Sequence, residues 1–481
     1  MKRPLSVIMP AMRYTPLRAM EAVNAAFLRI PKPEIRRLME RREALSIKQG
    51  LSMFTSKGKP RVIDVQLRPW VIDGAQRRFF HRACLLLRSA LSRVMPMYLA
   101  NSKVRQILPL EPREHEWLMS ANARGLQEPQ AVVDRLDSTA TFASSDWREN
   151  FWFLEPNSVG IGGIHYIPAT CALTAEWILP TLKRSMPDLR VSPHDDIRQL
   201  VLKLFIRHAR SIGRRLKRVV LVEDQSVDGG TDEFTEISRY FTRIGLPAFS
   251  ADPRDVQVIK GEIVVQGKIV DLIYRDSEIT EMLDMARGKT KGAVDGMREA
   301  FVRNQVVSSI AGEFDHKSAW ELFTNPEFTS HFTLRQRRFF RRHVLWTRLV
   351  FPRTTLSPTG KPVDLINFIR RHREELVVKP NRAYGGEGVV FGHQVTQPVW
   401  ERELDRALRR PSTYVIQQAA PVRAELFPVA DREGSVRLVP FYAVTGFAAT
   451  RDGIAFLGRS SKEAVVNVSR RGGLIAIWRL N

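Results

Sequence analysis

A chain of 481 residues is too long for one ordinary domain, and its 44% hydrophobic content suffices for sizeable cores, so two to four domains are expected. Lys and Arg number 75 against 51 Asp and Glu, a net charge of +24 that would draw nucleic acid, anionic membrane or acidic small molecules. Only Cys84 and Cys171 are present, which excludes a disulfide scaffold and a cysteine zinc cluster, and no run of 18 apolar residues offers a membrane span.

The start, Met1 to Thr15, is basic but broken by Pro4, Pro10 and Arg13, and no small-residue cleavage site follows, so it does not read as a secretory signal. An organelle transit peptide is the weaker alternative, and a cytoplasmic protein is expected. Residues 1–125 read as mainly helical, with an amphipathic run from Pro33 to Ile47, a short alternating strand from Val62 to Trp70, and an Arg- and Phe-rich helix from Arg77 to Leu99. Residues 126–190 change to short strand-like runs between Ala131 and Ser158. Residues 191–310 give a helix (Asp195–Ser211), a buried strand (Val219–Val222), a helix closing at Gly245 and a second strand (Val270–Asp276), the order of an α/β unit. In residues 311–481, Glu313–Phe323 and Leu334–Leu349 look helical. A strand, glycine turn and helix follow (Val377–Leu408), then the strand Tyr414–Gln418 and further β pattern. The fold class expected is α+β or α/β, with no internal repeat and no low-complexity linker.

Basic clusters recur at Arg214, Arg215, Lys217 and Arg218, and at Arg335, Arg337, Arg338, Arg341 and Arg342. Spread along the chain and unaccompanied by a nucleic-acid motif, they read first as Arg-rich solvated helices. Phe339 and Phe340 between arginines have the spacing of core residues.

The segment Val377–Gly392, VVKPNRAYGGEGVVFG, puts Lys379 at the end of a strand and Gly385, Gly386 and Gly388 just behind it. Glycines let backbone N–H groups approach phosphate, and the lysine adds charge. The turn lacks the Gly-Lys-Ser/Thr of a Walker loop and the spacing of a dinucleotide fingerprint, so alone it reads as a structural hairpin. Three other features weigh against that reading. YVIQQ ends in Gln417 and Gln418, a polar strand end suited to a purine edge. RLD…FLEPN supplies Arg135, Asp137, Glu155 and Asn157, with Asp146 between. Glu155 and Asn157 are two apart, so on a strand both oxygens share a face and suit Mg²⁺. The end of the chain is apolar up to Leu480, as a packed strand would be.

Together these segments resemble the nucleotide-binding part of the ATP-grasp ligases. The acidic E-x-N precedes the lysine–glycine segment by more than 200 residues, an order similar to the circularly permuted ATP-grasp proteins, which include the glutathionylspermidine synthases. DHKSAWELF, HVLWTR and the closing NVSRRGGLIAIW, with Asn467 and the pair Gly472–Gly473, resemble other segments of that family. The resemblance spans roughly residues 130 to 481. It implies a permuted ATP-grasp body beside an α/β domain. The reaction implied is activation of a carboxylate by the γ-phosphate of ATP and capture of the acyl phosphate by an amine. It also implies roles. Asp137, Glu155 and Asn157 would hold Mg²⁺. Lys379 would hold the α- or β-phosphate under the turn of Tyr384, Gly385, Gly386 and Gly388. Gln417 and Gln418 would meet adenine, Arg135 the transferring group, and Lys317 and Arg348 would be further catalytic cations. The spacing of 18 residues between Asp137 and Glu155 leaves Asp146 as an alternative ligand, and Pro156 demands an edge or end position.

The leading expectation is thus an ATP- and Mg²⁺-dependent ligase joining a small carboxylate to an amine such as an amino acid, peptide or polyamine. The alternatives are a phosphotransferase on the same scaffold and a non-catalytic basic protein that binds nucleic acid or an anionic surface. The sequence specifies neither the two substrates nor the oligomeric state.

Overall fold

The structure is a computed structural model that describes residues 14–54, 60–123, 130–226, 230–287, 292–463, 466 and 472–481. Three β-sheets organise it. The largest runs in the order 64–65, 473–475, 453–461, 436–450, 135–138 and 153–157, with 424–430 also paired to 436–450. Its spine is the 15-residue strand Val436–Thr450, which turns at Arg451–Asp452 into Gly453–Ser461. Strands from opposite ends of the sequence therefore meet: Thr445–Phe447 pair with Leu136–Ser138. Strand Phe153–Asn157 lies at the sheet edge, where Pro156 has no interior ladder to interrupt.

The second sheet is parallel, in the order Ala248–Ala251, Val219–Val222, Leu272–Arg275 and Val306–Val307. Val219–Val222 and Leu272–Arg275 are buried throughout, as the continuous apolar run VVLV predicts for a sheet covered on both faces. Helices Ile197–Ser211 and Glu233–Arg243 belong to this unit, the second packed on strand 248–251, and Phe205, Phe241 and Tyr274 make ring contacts within it.

The third sheet is antiparallel: Thr347–Leu349, Tyr414–Gln418, Leu376–Pro380 and Val390–Phe391. It has its own hydrophobic core, built on Trp346, Leu365, Ile369, Val378, Trp400, Leu404 and Ile416. A single larger core joins the other sheets and the N-terminal helices.

Several elements depart from expectation. The helix expected over Leu334–Leu349 stops at His343, and Thr347–Leu349 is a strand. The change follows Val344–Val350, whose β-branched and aromatic side chains favour the pleated surface. Glu313–Phe323 divides into a 3₁₀ turn (Ile310–Phe314) and a short helix (Ala319–Thr324). Val62–Trp70 is not one strand but the junction of three short ones, at 60–62, 64–65 and 70–72. Asn467 of the closing segment lies outside the described residues. Among the described residues no helix is long and apolar enough to cross a membrane.

Candidate active site

Strands Arg135–Ser138 and Phe153–Asn157 pair antiparallel, with Asp137 opposite Glu155 and Arg135 opposite Asn157. Directly opposed residues share a sheet face, and so do residues two apart. One face of this strand pair therefore carries a guanidinium, two carboxylates and an amide. The 18-residue spacing is absorbed by the loop between the strands, whose Phe142, Trp147 and Phe151 pack in an aromatic cluster with Phe79 and Phe80. Asp146 sits in that loop, paired with Arg423 at 2.9 Å and held low by hydrogen bonds from Arg423, Ser144 and Asn150. It is Asp137, not Asp146, that the fold brings beside Glu155.

Asp137 is buried and doubly bound. Arg135 Nε and Nη2 donate to its two oxygens at 2.8 and 3.0 Å, and Arg459 Nη2 donates at 2.8 Å. Burial pushes this carboxyl up, but the two guanidinium groups outweigh burial and hold it at about 2. Arg459 comes from strand Gly453–Ser461. Gly446, opposite Asp137, makes room for the pair, since a Cβ there would lie 2.8 Å from both Arg135 Cδ and Asp137 Oδ1.

Facing this strand pair is the third sheet. Lys379 ends its central strand and is buried; its Nζ donates to Gln417 Oε1 at 2.7 Å. Gln417 Nε2 donates onward to Leu154 O at 3.1 Å and Thr347 Oγ1 at 2.9 Å, tying the two sheets together. Burial lowers Lys379 to about 8, with Lys317 pushing the same way and Glu155 and Asp137 opposing. Lys317 Nζ donates to Ala383 O at 2.7 Å and lies 3.4 Å from Glu155 Oε2. The backbone of the DHKS segment is fixed to Asn381, through Lys317 N to Asn381 O and Ser318 N to Asn381 Oδ1. Asp315 accepts Ser158 N–H at 2.8 Å, just past Asn157; burial and its neighbours Glu278 and Glu313 push it up to about 7.

The glycine turn closes one side. Gly385, Gly386 and Gly388 have φ of 73°, 71° and 65°, the left-handed region that glycine enters freely. The turn is docked at its leading edge. Arg382 makes a bidentate pair with Glu114 at 2.8 Å and reaches Glu278 at 2.9 Å, and the Tyr384 hydroxyl also bonds Glu278. Opposite, the loop after Asn157 is held by Glu233, which accepts Gly163 N–H and His165 N–H at 2.9 and 2.7 Å; burial lifts this carboxyl to about 7.

These parts surround one cavity of about 510 Å³. Arg135, Asp137, Glu155, Asn157, Lys317, Lys379, Tyr384, Gly385, Gly386 and Gln417 all line it. Gly388 does not, but a Cβ there would meet Pro380 at 2.8 Å, so it shapes the turn from behind. Gln418 is exposed on the other face of its strand, because consecutive strand residues alternate and Gln417 already points inward. Arg348 is likewise elsewhere. It is fully buried, donating to Thr355 Oγ1, Thr324 Oγ1 and the Thr347 carbonyl at 2.9, 3.0 and 2.7 Å, with burial lowering it to about 10. It braces the third sheet and does not line the cavity.

Chemically, the cavity offers cations for phosphate oxygens, glycine backbone for close approach, and hard oxygen donors. Among the described residues there is no cluster of three or more His, Cys, Asp and Glu for a metal. Two opposed carboxylates with an amide suit Mg²⁺, which binds through one or two carboxylates plus substrate phosphates. The side-chain amide of Asn157 donates to Arg135 O at 3.3 Å, an orientation that leaves its oxygen for another ligand.

No protein-family model matches the chain, and no curated protein matches it by sequence. Solved structures do. A glutathione synthetase-like effector from Globodera pallida superposes with a TM-score of 0.58 over 98% of this chain and 99% of that one, at 9% identity. A proposed gamma-glutamylcysteine synthetase from Methylobacillus flagellatus KT aligns with a TM-score of 0.35 over 81% and 87%, at 10% identity. The first likeness shows the fold alone: a mixed α/β chain shaped like that glutathione synthetase-like neighbour.

Proposed function

We propose that this chain is an ATP- and Mg²⁺-dependent ligase that joins a small carboxylate to an amine through an acyl phosphate, on an ATP-grasp fold in the circularly permuted order. The observation that carries the proposal is the convergence of Asp137, Glu155 and Asn157 with Lys379, Lys317 and the glycine turn around one cavity. The glutathione synthetase-like fold supports it, since that neighbour's name is that of an amide-forming ligase.

Glu155 and Asn157, with Asp137, would hold Mg²⁺; when bound, the ion neutralises phosphate charge and aligns the transferring group. Lys379 binds the α- or β-phosphate, and that contact offsets the cost of keeping its charge buried. The Gly385–Gly388 turn covers the phosphates and excludes water. Gln417 holds Lys379 in place, its amide already engaged by Lys379, Leu154 O and Thr347 Oγ1. Arg135, fixed by Asp137 and by Gly162 O at 2.7 Å, is aimed at the developing negative charge of the acyl phosphate. Lys317 sits between Glu155 and the turn, placed to follow the γ-phosphate oxygens.

The test is ADP release with MgATP and a pooled set of amino acids, peptides and polyamines. The proposal expects turnover with a new amide mass, lost in Glu155→Ala and Lys379→Ala. ADP with a phosphorylated compound and no amide would make the protein a phosphotransferase instead.

A further inference from the structure

Away from the cavity, the fold brings together two stretches that are far apart in the chain and nearly identical. Gln76–Arg82 reads QRRFFHR and Gln336–Arg342 reads QRRFFRR, a short repeat that the expectation of none overlooks. Both stretches open a helix, Gly74–Leu91 and Leu334–His343, and both helices begin with a capping box closed by that glutamine, on Asp73 and on Thr333. In both, the second phenylalanine is core: Phe80 stacks on Phe447 and Phe340 on Phe323. In both, the first arginine is tied down, Arg77 to Asp195 and Arg337 to Phe332 O.

The two helices pack together, and Gln336 Nε2 donates to Leu86 O at 3.4 Å across the contact. Between them runs an open groove of about 710 Å³. Arg82, Arg335, Arg338, Arg341 and Arg342 line it, all exposed. Among the described residues the side chain of none of these five forms an ion pair or hydrogen bond, whereas Arg77 and Arg337 beside them are tied down. Neither helix contains an Asp or Glu. The half-buried rings of Phe79 and Phe339, equivalent positions in the repeat, also line the groove.

Five like charges around one groove repel each other, and a solvated surface normally intersperses both signs. An anion that enters relieves the repulsion. We infer that this groove binds the phosphate backbone of a single-stranded nucleic acid. Guanidinium forks suit phosphate, and aromatic rings beside them accept bases in a sequence-tolerant way. A concave site between helices does not present its floor to a flat lipid surface, and it is too small for a duplex. No motif of sequence-specific recognition accompanies it, so the binding is general.

The test is fluorescence anisotropy of a 5′-labelled dodecauridylate with the full chain. Five phosphate contacts predict a salt slope near −3.5, or roughly 100-fold weaker binding at 200 than at 50 mM salt. Arg335→Glu/Arg338→Glu should weaken binding at least tenfold and reduce the slope to about −2. The milder pair Arg338→Gln/Arg342→Gln should act in the same direction. Arg36→Glu/Arg37→Glu, an equal charge change on exposed positions of another helix, should shift it less than about twofold. Three results would overturn the inference: no binding at 50 mM salt, equal losses in the groove and control pairs, or equal competition by polyglutamate or phosphatidylserine vesicles.

Discussion

Lys379→Met separates the cost of the site from its use. In the fold the ammonium is buried, and its proton comes off near pH 8 where the ordinary value is 10.5. That difference corresponds to about 3 kcal/mol of destabilisation carried by the charged form. The unfolded chain keeps the proton up to pH 10.5, so between pH 8 and 10.5 it binds more protons than the folded chain and stability rises with pH. Below pH 8 the full cost is present. Methionine abolishes this dependence but leaves Gln417 Oε1 without its donor, a loss of roughly 1–3 kcal/mol. At pH 7 the variant should therefore be between equal to the parent and about 2 kcal/mol more stable. At pH 10.5 it should be less stable, and the two pH curves should diverge by about 3 kcal/mol. Urea unfolding followed by tryptophan fluorescence at both pH values measures this. Curves that stay parallel within about 0.5 kcal/mol would refute the claim that Lys379 is held charged at a cost. MgATP binding should be lost in the variant at either pH.

Three further outcomes are expected. Asp137→Asn leaves Arg135 and Arg459 buried without their carboxylate, so it should cost about 3 kcal/mol or more in urea unfolding. In the parent, the Asp137 contribution is present above pH 3.8 and is lost as pH falls toward 2, which an acid titration of parent against variant should reveal. Gly446→Ala thrusts a methyl against Arg135 and Asp137 and should lower ADP release at least tenfold, at a cost of about 1–3 kcal/mol in stability. Arg348→Met should lower the melting temperature while leaving KM for ATP unchanged; a selective rise in KM would instead place Arg348 at the nucleotide.

The local chemistry of the site was legible because strand alternation is a short-range rule. Glu155 and Asn157 share a face, and the lysine–glycine segment is a strand followed by a left-handed turn. The same rule also separates Gln417 from Gln418, since adjacent residues on one strand cannot both face a pocket. What stayed hidden depends on pairings between distant segments. Arg459 reaches Asp137 across the one intervening strand, Val436–Thr450, which pairs segments of the chain about 300 residues apart, and nothing local marks it. Gly446 is a glycine inside a strand, a known sign of close approach, but what approaches it is visible only in the register. Arg382 follows Lys379 by three residues and turns away to an acidic cluster from three other elements. Arg348 ends HVLWTR, a segment put forward by its resemblance to the family, whereas tertiary packing makes it a buried brace.

The central claim is that one cavity binds ATP with its metal on the Asp137–Glu155–Asn157 face. Isothermal titration of ATP with and without Mg²⁺ tests it most directly, in the parent and in Glu155→Gln and Lys379→Ala. Saturable binding strengthened by Mg²⁺ is expected, with Glu155→Gln losing the Mg²⁺ dependence and Lys379→Ala losing most of the affinity at any Mg²⁺ concentration. Binding that ignores both substitutions, or no binding by the folded parent, would contradict it.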